Sequence, residues 1–438
     1  MVRPRIVAIL LVSVASVSAS SRAGAQSRPP DLSTLMRDQI LDVWQATTPD
    51  GSRILIDPPD SATLRTLSPF TLVTQIEQQI GTQLTSLPIG SSAGGFTYQY
   101  DSHLGTFTRT TDTFGPAFAE RAQVLGRRRV NFGMSYQRGR YSDLDGRSLD
   151  NGGIRFILPP GTITNPAFGN VIDSELHLRL RSDSTVYFVS AGITDRLDLG
   201  VAVPYQQITM DLTNRATIRD FSAVTLSPAS RVFANGGKTQ DFTASGSARG
   251  IGDLVVRGKY KLTRPGLREF ALCVDARLPT GDASNLLGAG TAQAQVLLVS
   301  SYSSSRVDPH FNVGYTFTDK HAADQINYVA GIEVAATHRV TVIGDLVGRT
   351  FLDTLQLRDG LVQILQPADS ARGIPSAVST AFGTVETYSG MLQTTMGTVG
   401  VKFNPVRNVL ISAHVIATLT DRGLRRRLAP VIGLDYSF

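Results

Sequence analysis

The sequence predicts an all-β transmembrane barrel of about twelve antiparallel strands, preceded by a partly helical N-terminal leader. Three observations carry that expectation. Apolar and polar residues alternate with period two through successive segments from residue 130 onward, the pattern of strands with one oily and one polar face. After the first 25 residues no apolar run reaches the roughly 18 residues that a membrane helix needs, so any span has to be β. The connections between the segments fall into a tight set and a mostly longer set that alternate along the chain, and a soluble β-sandwich has no reason to sort its loops by side.

The chain opens with Arg3 and Arg5, an apolar run from Ile6 to Val17, and small residues ending Ala23-Gly24-Ala25. This is the layout of a secretory signal cut after Ala25. We therefore assign residues 1–25 to a cleaved signal, 26–129 to the leader and 130–438 to the barrel. The formal charge of +6 includes Arg3, Arg5 and Arg22 of the signal, so the mature surplus is small.

In the leader, Leu32, Leu35, Met36, Ile40 and Val43 fall at helical spacing, as do Val73, Ile76, Ile80, Leu84 and Leu87, with Ser68-Pro69 as a start signal. From Leu87 the chain is rich in Gly, Ser, Thr and aromatics without a clean period. Its GSSAGG lacks the Lys-Ser/Thr ending of a phosphate loop. Phe96, Tyr98, Tyr100, Phe107, Phe114 and Phe118 make this segment too apolar for a free tail. A plug inside the barrel and a soluble periplasmic subdomain would each bury these rings.

The expected strands are 130–141, 174–194, 197–213, 248–262, 267–282, 292–303, 307–319, 325–336, 340–352, 387–404, 406–419 and 428–438. The second is long enough to be two, with a turn at residues 181–184. Leu254, Val256, Tyr260 and Leu262 share one parity and Arg257, Lys259 and Lys261 the other. By the same rule Arg257, Lys259, Lys261, Asp275, Arg277, His310, Glu333, Asp345, Arg349 and His414 are the luminal candidates, because charge at mid-membrane depth is tolerated on the lumen side. They either fill a narrow interior with a solvated network or line a solute path. Cys273 shares their parity and reads as a small strand residue, since no adjacent His or metal spacing supports thiol chemistry. The short connections, and with them both termini, are expected on the periplasmic side.

The six His residues show no H-x-x-x-H or H-E-x-x-H spacing, and no G-x-S-x-G elbow is present. We expect no catalytic residues, no metal and no cofactor. The basic clusters 127–129 and 425–427 lack the interleaved aromatics of a nucleic-acid binder; they read as charged strand ends or as contacts to lipid phosphates, and no nucleic-acid partner is expected. The final segment sets Leu428, Pro430, Ile432, Leu434, Tyr436 and Phe438 on one parity. It resembles the last strand of bacterial outer-membrane barrels, whose aromatic end, here Tyr436 and Phe438, is read by the barrel-assembly machinery.

ITDRLDLGVAVPY at 193–205, GIGDLVVRGKYKL at 250–262, ARLPTGD at 276–282 with the following GAGTAQ, and FNVGYTF at 311–317 resemble the meta-pathway of phenol degradation family of transporter-like outer-membrane β-barrel proteins. The resemblance covers roughly residues 130–438 and does not extend to the leader. It implies an outer-membrane barrel that passes small, hydrophobic or aromatic solutes passively, with lipids and the assembly machinery as its partners. A structural or surface-interaction barrel without transport is the alternative reading, and a barrel lipid hydrolase a more distant one.

Overall fold

The computed structural model describes residues 31–52, 54, 68–85, 90, 95–101, 106–109, 111–158, 170–220, 232–264, 266–304, 306–319, 322–366, 376, 378–406 and 408–438. The expected signal lies outside them. The barrel strands are β1 (Val130–Leu144), β2 (Asn170–Gly192), β3 (Leu197–Asp220), β4 (Thr239–Ile251 continued by Leu254–Lys261), β5 (Arg268–Leu278), β6 (Gln293–Tyr302), β7 (Val307–Thr318), β8 (Gln325–Thr337), β9 (Val340–Gln366), β10 (Val378–Val406), β11 (Val409–Thr418) and β12 (Leu428–Ser437). Each pairs antiparallel with the next, and β1 pairs with both β2 and β12: Met134 lies opposite Tyr187 on one side and Leu434 on the other. The twelve-stranded sheet is closed, which leaves no open edge. At the seam the backbones of Val130 and Phe438 exchange two hydrogen bonds of 2.9 Å.

One outward residue from each strand shows why this ring belongs in lipid: Phe132, Tyr187, Val201, Tyr260, Leu272, Leu298, Phe311, Ile332, Leu346, Val401, Ile411 and Ile432 are all exposed. An apolar belt of this kind would be an aggregation surface in water and is the lipid face of a membrane barrel. No helix among the described residues is long and apolar enough to cross a membrane.

Several strands run far beyond the 9–11 residues that span a bilayer. β2 has 23 residues, β3 24, β9 27 and β10 29. The described residues of two segments expected as loops, 214–247 and 353–386, are therefore mostly strand. The physical reason is an inversion of faces. Low in β2 and β3 the inward positions are polar or small, as at Ser190, Ser184, Asp198 and Gln206. Higher up they become Leu180, Leu178, Leu176, Ile208, Met210 and Leu212, all buried, while Asp211 and Arg215 turn outward. β2 is also one continuous strand, its residues 181–184 pairing in register with β3 rather than turning. β4 carries a bulge: Ile251 pairs with Tyr205 and Val255 with Ala202, so three residues, 252–254, oppose two. The Asp253 carboxylate secures it by accepting from the Gly281 and Ala289 amides at 3.0 and 2.8 Å.

The inverted faces form the wall of a vestibule, and the leader fills it. Helix α1 (Leu35–Trp44) and helix α2 (Ser68–Thr85) put Met36, Ile40, Val43, Val73, Ile76 and Ile80 into one cluster with Leu176, Leu178, Met210 and Leu212. Each such side chain contributes about 1.5–3 kcal/mol by leaving water. The stripes thus place both helices, with Leu87 outside the described residues. Between them, the buried Glu77 accepts from the Met36 and Arg37 amides at 3.0 and 3.4 Å, meeting the unpaired N–H groups at the start of α1. Burial pushes its carboxyl up to about 8.

The described part of the leader begins at the long-loop end. Leu32 and Ser33 donate their amides to Asn285 and Ser284, in the connection between β5 and β6. Of the expectation that both termini lie on the short-turn side, Phe438 is found there, whereas Asp31, the first described residue, sits at the opposite end, because the apolar stripes of the helices need the apolar vestibule wall.

Candidate functional site

From α2 the chain descends through the barrel. The carbonyl of Thr85 accepts from Arg277, and that of Gly90 accepts from Arg257 at 3.5 Å. Near the short-turn end Phe96, Phe114 and Leu410 pack together, the two rings edge-on at 5.7 Å. Here two passes of the leader touch. Gly95 has φ +100°, and a Cβ on it would lie 2.4 Å from the Phe114 carbonyl oxygen, so only glycine fits. The backbone of Tyr98 and Tyr100 (Tyr98–Asp101) pairs with that of Phe107 (Thr106–Arg109) in a small hairpin; the side chains of Tyr98, Tyr100 and Phe107 lie outside what is described.

Residues 111–125 then cross the lumen, and the barrel's inward groups hold their backbone. Glu333 accepts from the Gly115 amide at 2.8 Å, Asp345 from Ala117 and Phe118 at 2.9 and 2.7 Å, Asn312 from Glu120 at 2.7 Å, Ser301 from Ala122 at 2.9 Å and Asp198 from Leu125 at 2.9 Å. An extended segment inside a barrel has no strand partner, so side chains must satisfy its amides. The guanidinium of Arg121, fully buried, pairs with Glu333 and donates to Thr113 at 2.6 Å; Thr113 in turn donates to Asp308 at 2.6 Å. Phe118 stands edge-on to His414 at 5.5 Å.

All ten luminal candidates point inward, but they do different things. Glu333, Asp345 and His414 hold the leader, and His310 braces Glu333 at 2.6 Å while bonded to Ser301 at 2.8 Å. Arg257 forks onto its cross-strand neighbour Asp275 at 2.7 and 2.6 Å and also reaches Glu120, which Lys259 approaches at 3.4 Å. Lys261 pairs with Glu269 at 2.7 Å, away from the leader. Tyr436 and Phe438 face outward, their rings 5.7 Å apart.

Arg277 and Arg349 border a cavity of about 90 Å³ between the crossing and the barrel wall. Its wall combines Phe118, Val255, Leu297, Val329 and Val347 with Gln293, Gln295, Asn312, Gln325 and Asn327. Sequence reasoning missed Glu120 and Arg121, which sit in a stretch without a period. It also missed Lys402, whose amine donates to the carbonyls of Phe114 and Pro116 at 3.3 and 2.8 Å; the parity that exposes Val401 and Phe403 had marked it as luminal.

A closed antiparallel barrel with an apolar belt, a charged interior and a lumen occupied by its own leader has the build of an outer-membrane β-barrel protein. Residues 169–354, from β2 into β9, match the family described as "Putative MetA-pathway of phenol degradation", which is the resemblance that the sequence motifs carry. No curated protein matches the chain. Among solved structures, the chain is similar to the COG4313 outer membrane channel from Pseudomonas putida F1, at 12% identity and TM-score 0.40, with 72% of this chain and 97% of that one covered. A Pseudomonas aeruginosa FadL homologue aligns at 9% identity and TM-score 0.33 over 80% and 98%. The translocator domain of the autotransporter NalP from Neisseria meningitidis aligns at 9% and 0.27 over 72% and 89%.

Proposed function

We propose that this protein passes small hydrophobic or aromatic solutes across the outer membrane without an energy source of its own, through a lumen that its leader keeps nearly closed. The observation that carries this reading is the cavity held between the luminal crossing and the barrel wall. At about 90 Å³ it marks a constriction of a solute path rather than a full ligand pocket, and its five apolar side chains would face a passing ring. In this reading the leader is a plug rather than a periplasmic subdomain, the short turns and the C-terminus face the periplasm, and the protein is a conduit rather than a catalyst.

Swelling of proteoliposomes in isosmotic methyl glucoside and phenyl glucoside tests the proposal. We expect the full chain to admit phenyl glucoside faster than methyl glucoside, and a chain lacking residues 27–115 to admit both faster still. Absence of flux for either sugar in either protein, with the barrel folded, would leave a structural role instead.

A further inference from the structure

The cavity is not neutral. Its wall carries Arg257, Arg277 and Arg349 against Glu120 and Asp275, and both carboxylates are already engaged by Arg257. Among the described residues the one hydrogen-bond partner of Arg277 is the Thr85 carbonyl, and the carboxylates of Asp253 and Asp275 act on it without contact. The guanidinium of Arg349 has no hydrogen bond or ion pair among the described residues, and the charges that act on it are Arg277 and Arg426, both of its own sign. Arg426 itself is buried against the Tyr141 ring and the Met396 sulfur, without a carboxylate within salt-bridge distance among the described residues.

Two like charges facing one cavity repel each other, and interior Arg is normally paired. Asp253 and Asp275 act on Arg277 as counter-charges, but among the described residues no carboxylate acts on Arg349, so the anion that would balance it has to come from outside. We infer that the cavity is a binding site for a small organic carboxylate, its head on Arg277 and Arg349 and its apolar body against Phe118, Val255, Leu297 and Val347. The planar guanidinium matches a carboxylate with paired N–H donors. The amides of Gln293, Gln295 and Asn327 can hold the remaining lone pairs. At about 90 Å³ the cavity is smaller than the roughly 150 Å³ that takes benzene, so a monocyclic acid enters only as the side chains around it give way. The inference rests on the channel reading and narrows its solute class from aromatic compounds to aromatic acids.

Two measurements on the full-length protein keep the two readings apart. In planar bilayers, reversal potentials in gradients of sodium benzoate, sodium acetate and benzylammonium chloride report which ion is carried. In detergent, calorimetric titration with benzoate, acetate, benzyl alcohol and inorganic phosphate reports binding whether or not anything passes. We expect benzoate to bind about tenfold tighter than acetate or benzyl alcohol, about 1.4 kcal/mol, and to carry more current than benzylammonium. Arg349→Gln should abolish that preference, and Arg349→Lys, which keeps the charge, should restore part of it; unboiled gel mobility verifies that each variant is folded. Equal binding of benzoate and benzyl alcohol, or an unchanged preference in folded Arg349→Gln, overturns the carboxylate site and leaves the channel standing. Tight benzoate binding without current or swelling overturns the channel and leaves the site. Phosphate or acetate binding as tightly as benzoate overturns the role given to the apolar wall.

Discussion

Arg121 of the leader and Glu333 of β8 form an ion pair across the lumen with both side chains at 0% exposure. His310 supports the carboxylate from β7, and the Thr113 hydroxyl, earlier in the leader, accepts from the guanidinium. A buried pair of this kind is weak evidence of stability in itself, but removing one partner strands the other in a dry interior.

Arg121→Met is therefore expected to loosen the luminal crossing at a local cost of about 3–5 kcal/mol. Single-channel conductance should rise. The double change Arg121→Met with Glu333→Gln removes the stranded charge and should return conductance most of the way to that of the unchanged protein. Equal conductance in the single and double variants would show that the pair does not hold the crossing.

The outward side chain of Leu346 gives a test of the membrane belt. Arg at this position should cost about 2–4 kcal/mol if it lies near the bilayer midplane, and less toward either interface. Urea titration in lipid vesicles, followed by gel mobility, measures the shift. The cost should exceed that of Arg215→Leu, which lies on the outward face of β3 above the belt.

Glu77 makes the helix pair sensitive to pH. Its folded value of about 8 lies above the ordinary 4.5, so the folded state holds the proton more tightly. The associated stability is complete below about pH 4.5 and is lost as pH rises through about 8. Trp44 is the single tryptophan and is buried in α1, so its fluorescence melting curve reads this region alone. The transition should fall as pH rises across that window, and in Glu77→Gln it should be nearly flat.

At the seam, removing Phe438 deletes two backbone hydrogen bonds to Val130 along with the outward ring that meets Tyr436. Phe438→Ala deletes only the ring. We expect the truncation to reduce the heat-modifiable, membrane-recovered fraction more than the substitution does. Equal yields would assign the effect to the ring rather than to the seam.

Strand period exposed the barrel because the rule behind it is local: Arg257 and Asp275 lie on the parity opposite Val256 and Val274 whatever the rest of the chain does. The same rule concealed the vestibule. Above Gln206 the alternation continues, but Ile208, Met210 and Leu212 now point inward, and a reader who equates apolar with lipid-facing loses the strand there. The helix pair was legible from the spacing of Ile40, Val73 and Ile80, whereas its location was not, since nothing local states that Leu32 will meet Asn285. The luminal crossing was the least legible part. Glu120 and Arg121 obtain their partners from β4 and β8, more than a hundred residues away, and no period in the leader reflects those contacts.

The course of the leader has a consequence for how the molecule is assembled. From Asp31 at the long-loop end the chain runs down the bore, turns near Phe96 and Phe114, and only then becomes β1, whose seam with β12 closes the ring. The barrel is thus a hoop fastened around its own thread. Once Val130 has met Phe438 the leader is captive: withdrawing it requires either that the clasp part or that the two helices be taken apart and drawn back through the hoop.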